Sequence, residues 1–371
     1  MGKLNEDKKL DGANMLIENR NVSEKMERTR IDWLDAMKGW TILFVVLGHV
    51  LLGYVENDSF PQSTNLLKIV QDWIYIWHMP LFFAISGYTF FLSYKKGNIS
   101  DRQRLKRQEL NLILIYLMFS LVLGVTKTIF ANFVDNPMNI TEMIKGIIFP
   151  NTLMWYLWVL VLYYFLFSRI TFVESHVWIV GCIAALLIGR YLDETMHLRI
   201  CLKNFLCCIG YFYIGSHMEG LLKNIKILKW LQYVVMMILW IGGVMYAILY
   251  DEYILIPVIV RALIDAIYAI AMILSCFCLF RKYIKKSKLC ELGKASLVIY
   301  LLHTYLVTII KNIVIKSGFD LVIVAIIGSW LVATFVTYLI WILSCRIEWI
   351  GYIFHPIDAF EKVTAKWENR E

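Results

Sequence analysis

Proline is scarce in this 371-residue chain, with six in all, and charged side chains make up only 18% of it, against ~25% in soluble domains. So little charge cannot cover a soluble surface, and so few prolines leave long stretches free to be helical. The eight cysteines lack metal-site spacing with histidines, and Cys207-Cys208 and Cys276-Phe277-Cys278 fall inside apolar stretches. They read as small apolar residues rather than a zinc site or a disulfide framework. Residues 1–30, with seven basic and six acidic side chains, hold no apolar core followed by a small-residue cleavage site. No signal peptide is expected, and the segment reads as a flexible cytoplasmic tail. No internal repeat of the transporter kind is visible. These absences exclude a cytosolic enzyme, a disulfide-stapled secreted domain and a disordered regulator.

What is present is apolar bulk. Hydrophobic residues make up 59% of the chain, including 13 Trp, 21 Tyr and 21 Phe, and the mean hydropathy is +0.62. A spanning helix needs ~20 mainly apolar residues, because no backbone polar group can stay unpaired in hydrocarbon. Ten such stretches run at 37–55, 70–94, 110–130, 153–168, 176–190, 202–218, 231–250, 254–280, 295–315 and 319–345.

The net charge of +8 is informative through its distribution. With the N-terminus inside, the cytoplasmic segments after residue 30 carry 20 Lys and Arg and the outer segments carry 6, as the positive-inside rule requires. That asymmetry accounts for the basic excess without a nucleic-acid partner. The predicted fold is an all-α polytopic helix bundle of about ten transmembrane helices, with both termini cytoplasmic. Its parts are a tail over 1–30, a membrane domain over 31–345 and a short cytoplasmic C-terminal tail over 346–371.

Ionisable residues inside spans cost several kcal/mol unless paired or hydrated. The first span is the richest: Asp35 and Lys38 lie one turn apart near the inner interface, and His49 follows Lys38 by eleven residues. Eleven residues make about three turns, so Lys38 and His49 share a face, ~16 Å apart along the axis. Gly39 and Gly48 would let a neighbouring backbone or ligand approach. Taken alone, His49 also reads as a histidine bonded between helices, and Lys38 as a snorkelling anchor.

The second span contains Trp77-His78-Met79-Pro80 and Ser86-Gly87-Tyr88. Pro80 frees carbonyls near His78, and an outside-to-inside direction would let His49 and His78 meet in one cavity. Six basic residues then crowd into Lys95–Arg107, which reads either as positive-inside loop charge or as a phosphate cradle. Arg261 and Asp265 stand at i, i+4 in the eighth span, where an ion pair or a substrate contact is expected. Glu142, Asp251 and Glu252 read as solvated outer-loop charges. Trp73, Trp77, Trp155 and Trp158 fit an interfacial aromatic belt or a sugar-stacking platform.

The run Arg30…Leu34-Asp35-Ala-Met-Lys38-Gly39…Val-Val-Leu-Gly-His49 resembles the first-helix signature of the acyltransferase-3 family of integral-membrane O-acyltransferases: a basic residue, ten residues, a histidine. His78-Met-Pro-Leu-Phe-Phe-Ala-Ile-Ser-Gly-Tyr resembles its second-helix pattern, especially in the sugar O-acetylase branch. Arg104-Leu-Lys-Arg107 is similar to its loop Arg-x-x-Arg. Trp155-Tyr-Leu-Trp158, Gly210-Tyr-Phe-Tyr-Ile-Gly215 and Leu292-Gly-Lys-Ala-Ser-Leu-Val-Ile-Tyr-Leu-Leu-His303 continue the resemblance in order, over about residues 30–345. Lys38 stands where many members carry Arg, and Ala36 where many carry Gly.

The resemblance implies an enzyme moving an acetyl group from cytoplasmic acetyl-CoA to a hydroxyl of a cell-surface or lipid-linked glycan, in the plasma membrane and without a metal. The alternative is a transporter or flippase without covalent chemistry. Acyl transfer needs a base for the acceptor hydroxyl and a stabiliser for the oxyanion. Histidine suits the first role, so His49 is the expected base, with Asp35 holding Lys38. Arg104, Arg107 and Lys38 would meet the donor phosphates. His78, Ser86, Tyr88, Trp155 and His303 are the expected acceptor-side residues, with a structural role for His303 as the other reading. A homodimer is compatible with the sequence. No soluble esterase-like domain is attached, so transfer is expected to finish within the membrane part.

Overall fold

The computed structural model describes residues 31–94, 99–131, 137–150, 153–169, 176–224, 229–250, 257–284 and 287–368, and the tail expected over residues 1–30 lies outside them. Among the described residues every regular element is helical. Ten helices cover the ten predicted stretches in order: α1 (Asp32–Glu56), α2 (Thr64–Tyr94), α3 (Ile99–Ile129), α5 (Trp155–Arg169), α6 (His176–Met196), α7 (Ile200–Asn224), α8 (Lys229–Tyr250), α9 (Val258–Tyr283), α11 (Ser296–Lys316) and α12 (Val322–Arg346). Four shorter ones are α4 (Ile140–Ile148), α10 (Lys288–Lys294), α13 (Glu348–Phe354) and α14 (Pro356–Glu368). Seven of the ten, namely α1, α2, α3, α7, α9, α11 and α12, are long and apolar enough to cross a membrane, while α5 is apolar but has 15 residues.

How helices pair sets a parity condition on the remaining crossings. Gly39 meets Leu289 and Gly293, the His49 ring meets His303, and Gly53 meets Val307. Residue numbers rise together along both partners, so α1 and α10–α11 lie parallel. Two parallel spans must be separated by an odd number of crossings. Counting α2, α3, α5, α6, α7, α8 and α9 satisfies this, whereas the four of them that are both long and fully apolar would not.

α1 is the central helix, packed against α2, α9, α10, α11 and α12. Its centre is dry: Met37, Ile42, Val46 and Val50 are fully buried. Outer helices instead present apolar side chains outward, such as Ile183 on α6 and Ile323, Leu331 and Phe335 on α12, as lipid-facing surfaces do.

Two glycine crossings set the closest approaches, where small residues let backbones touch. At α1–α10, a Cβ on Gly39 would stand 2.1 Å from the Leu289 carbonyl oxygen, and one on Gly293 would stand 1.8 Å from that of Asp35. At α2–α7, a Cβ on Gly87 would stand 2.0 Å from the Phe212 oxygen, and one on Gly215 would stand 2.0 Å from that of Ala84.

One local expectation is extended and one is revised. Glu142 is exposed, as a solvated charge would be, and its carboxylate also accepts the Asn139 N–H at 3.0 Å while Asn139 Oδ1 accepts the Glu142 N–H at 2.8 Å. This reciprocal cap starts α4. The segment after 346 is likewise more than a tail. It folds into α13 and α14, and Arg107 on α3 donates to Asp358 at 2.8 Å and Glu361 at 2.7 Å on α14.

Candidate active site

Three histidines from three helices gather around α1. The His49 ring lies 5.1 Å from that of His303 on α11, and 6.2 Å from the ring of Tyr75 on α2. Tyr75 in turn packs edge-on against His78 at 4.9 Å. Expected as neighbours, His49 and His78 are thus joined through Tyr75. His303 is fully buried and His78 nearly so, while His49 is part-exposed.

The buried pair have fixed tautomers. His78 Nδ1 stands 2.7 Å from the Ile74 carbonyl oxygen and His303 Nδ1 stands 2.9 Å from that of Ile299. A carbonyl only accepts, so both Nδ1 atoms carry the proton and donate, leaving each neutral ring a lone pair on Nε2. His303 Nε2 is buried with no hydrogen-bond partner among the described residues. An acceptor therefore stands ready beside His49. A helix of this geometry puts His49 about 10 Å short of the Glu56 end of α1 and about 16 Å from Lys38.

At the other end of α1, Lys38 pairs with Asp35 at 3.5 Å, one turn apart as expected. Asp35 is buried, with Oδ2 unpaired among the described residues, and its own backbone is the surface against which Gly293 packs. The ion pair therefore sits on the α1–α10 crossing.

The remaining expected residues separate into different places. Tyr88 lies about 15 Å along α2 from His78, with its ring 5.5 Å from Trp33 in the first turn of α1. Its hydroxyl donates to Glu219 at 3.0 Å, and Glu219 is held by both ends of the Arg281 guanidinium at 3.1 Å. It thus belongs to the Lys38 end rather than beside the histidines. Glu219 and Arg281 were not expected, since the sequence shows them only as charges beside loops. Ser86 shares a hydrogen bond with Tyr156 at 3.1 Å, and Tyr156 leads through Tyr300, 5.4 Å away, to His303 at 6.3 Å. Trp155 packs on Phe83 at 6.1 Å. Arg107 is engaged by α14, and the Arg104 side chain lies outside the described residues, as do Asp251 and Glu252.

One further expectation is extended and another changes. Asp265 feels the local charge of Arg261 and also pairs with Arg190 on α6 at 3.7 Å and accepts from Tyr246 on α8 at 2.9 Å, tying α9 to two other helices. Trp73 and Trp77 are buried, forming neither an interfacial belt nor an open platform. They pack with Phe44 and Trp240 in one aromatic cluster, Trp73 lying 4.8 Å from Trp240 and Trp77 5.0 Å from Phe44. Among the described residues no set of three His, Cys, Asp or Glu side chains is arranged to hold a metal ion.

A family model for acyltransferase-3 proteins, described as an acyltransferase domain, matches residues 31–346. The chain belongs to the acyltransferase-3 family. No curated protein and no solved structure matches it. Membership makes this multi-pass chain a membrane acyltransferase and disfavours the transporter alternative. The matched span starts at the foot of α1 and ends with α12, so it contains the three histidines, Tyr75 and both glycine crossings. Several motifs of this acyltransferase thereby acquire a physical reason. Gly39 and Gly293 admit one another's helices, and Gly87 and Gly215 do the same across the bundle.

Proposed function

We propose that this acyltransferase moves an acetyl group from cytoplasmic acetyl-CoA to a hydroxyl of a cell-surface or lipid-linked glycan at the plasma membrane, with His49 as general base. The observation that carries the reading is the placement of one part-exposed histidine, His49, against the unpaired and fully buried His303 Nε2. A base works best when a second group fixes its tautomer. An N–H of His49 turned to His303 Nε2 leaves the other ring nitrogen to take the acceptor's proton.

The acceptor oxygen then bonds to the thioester carbonyl carbon, the carbon–sulfur bond breaks, and the His49 proton passes to the departing thiolate. The products are an ester and free CoA. Positive-inside asymmetry supports a donor entering where Lys38, Arg104 and Arg107 lie, and the short path from His49 to the Glu56 end of α1 supports an acceptor arriving from outside. Lys38, held by Asp35 at 3.5 Å, would meet donor phosphates at the foot of α1. Ser86, Tyr156 and Trp155 would line the acceptor route, with His78 in the wall beside Tyr75.

General base catalysis contributes about 10²–10⁴-fold, so His49→Ala is expected to lose at least that much activity while the protein still inserts in the membrane. The measurement is acetyl content of surface glycans in cells carrying the wild-type or variant gene, with membrane protein level as control. Retained acetylation by His49→Ala removes the base assignment, and unchanged glycans on deleting the gene remove the acceptor class.

A further inference from the structure

Beside His49 stands a hydroxyl with nothing to bond to. Tyr75 Oη is buried and has no hydrogen-bond partner among the described residues, although its ring touches both His49 and His78. Burying a hydroxyl unpaired is unfavourable, and phenylalanine would fill the same space without that cost. The backbone of α1 is shaped to receive it. Residue 48 is a glycine, and a Cβ there would stand 3.1 Å from Tyr75 Cε2. Cε2 is bonded to the ring carbon that bears the hydroxyl, so the hydroxyl end of the ring lies at the level of Gly48 and His49.

Two rings beside His49 thus each carry a polar atom without a partner among the described residues, and only one of the two can donate. His303 Nε2 can only accept while its Nδ1 holds the proton. Tyr75 Oη can donate, and a phenol donates without gaining or losing charge. Acyl transfer requires a base partner and, separately, a donor aimed at the oxygen that becomes negative. The first is supplied by His303. The arrangement leaves the second to Tyr75.

We propose that Tyr75 is a catalytic residue whose Oη–H donates to the thioester carbonyl oxygen as it becomes an oxyanion. This rests on the reading of His49 as base. As the acceptor oxygen attacks and its proton moves to His49, the carbonyl π pair localises on that oxygen and is held by the Tyr75 hydrogen bond. When the carbon–sulfur bond breaks the carbonyl re-forms, the thiolate takes the proton from His49, and Tyr75 keeps its own proton throughout. The hydrogen bond exists in full only in the transition state, which is where donor preorganisation accelerates a reaction.

The test is Tyr75→Phe in the full chain, purified in detergent, with acetyl-CoA as probe. Cleavage is read as release of free thiol, beside thermal unfolding and beside His49→Ala. Loss of an oxyanion donor costs about 10²–10³-fold in turnover. The expected result is a fall of about 100-fold in kcat, a KM for acetyl-CoA within about two-fold of wild type, and a Tm equal to or above wild type, since an unpaired buried hydroxyl has been removed. Gly48→Ala, which pushes the ring by a few tenths of an ångström, is expected to lower kcat less, again without a change in KM. Wild-type kcat in Tyr75→Phe with an inactive His49→Ala overturns the role of Tyr75 and leaves the base assignment standing. A Tyr75→Phe protein that loses activity only because it unfolds at lower temperature also overturns it, by showing a structural role. Full activity in His49→Ala defeats the base reading and this inference with it.

Discussion

Gly39→Ala probes whether the site depends on a contact ten residues away from His49. A Cβ at position 39 would lie 2.1 Å from the Leu289 oxygen and 2.9 Å from the Gly293 nitrogen, whereas non-bonded atoms settle near ~3.5 Å. Both obstructing atoms are backbone, so no side chain can swing away, and α1 and α10 must part by more than about 1 Å. Overpacking on this scale costs about 1–3 kcal/mol, occasionally more. Because α11 begins at Ser296, directly after α10, the displacement passes along the parallel pair to His303. The 5.1 Å contact between His49 and His303 opens accordingly.

The comparison variant is Gly48→Ala on the same helix, where the neighbours are the side-chain atoms Tyr75 Cε2 at 3.1 Å and Ile74 Cγ2 at 3.4 Å. Those atoms can yield. Gly39→Ala should therefore lower Tm by a few degrees and reduce acetyl transfer strongly, and Gly48→Ala should leave Tm near wild type. Tryptophan fluorescence on heating, alongside thiol release from acetyl-CoA, measures both. Equal Tm and activity in Gly39→Ala and wild type, or equal destabilisation by the two substitutions, would refute the reasoning.

Asp265→Asn removes the carboxylate that Arg190 and Tyr246 share. The Arg190 side chain is a third exposed, which discounts the loss to about 1–3 kcal/mol. A lower Tm with unchanged KM for acetyl-CoA is expected, and an unaltered Tm would count against a structural tie. At the α3–α14 contact, Asp358→Asn with Glu361→Gln releases Arg107 from α14. Exposed ion pairs are worth at most about 1 kcal/mol, so if Arg107 meets donor phosphates the KM for acetyl-CoA falls by about two- to five-fold, the effect fading at high salt. An unchanged KM at low salt would mean that the contact only anchors α14.

Hydropathy alone located all ten long helices, because lipid imposes one requirement on every spanning segment. The parallel run of α1 beside α10–α11 requires an odd number of crossings between them, and the seven read from hydropathy and side charge meet that requirement. The site was legible where an ionisable residue interrupts an apolar run, as at Lys38, His49 and His78. It was not legible where the informative residue is of a common type. Tyr75 is one of 21 tyrosines and is singled out only by its unpaired Oη. Glu219 and Arg281 look like ordinary loop charges until α7 and α9 bring them together under Tyr88. Asp265 interacts with Arg261 four residues away as expected, but periodicity within one helix cannot reveal an additional partner such as Arg190 on another. The glycine motifs were visible as motifs, but not what each one touches. Trp73 and Trp77 misled because aromatics near a span end have two uses, and only packing tells a buried cluster from a belt.

The parallel pairing of α1 with α11 also sets an order of assembly. His49 is made with the first span, and His303 arrives only after seven further long helices, α2, α3 and α5–α9. At about 5–20 residues per second, roughly 10–50 s of synthesis separates them. Through that interval the foot of α1 has no Gly293 to close against and the His49 ring has no His303 beside it, so the arrangement of the three histidines is incomplete. Local contacts, such as those of α1 with α2, can form early, while the long-range contact that completes the site is the slow one. The candidate site is therefore completed late in biogenesis, and a chain interrupted before residue 303 would lack it.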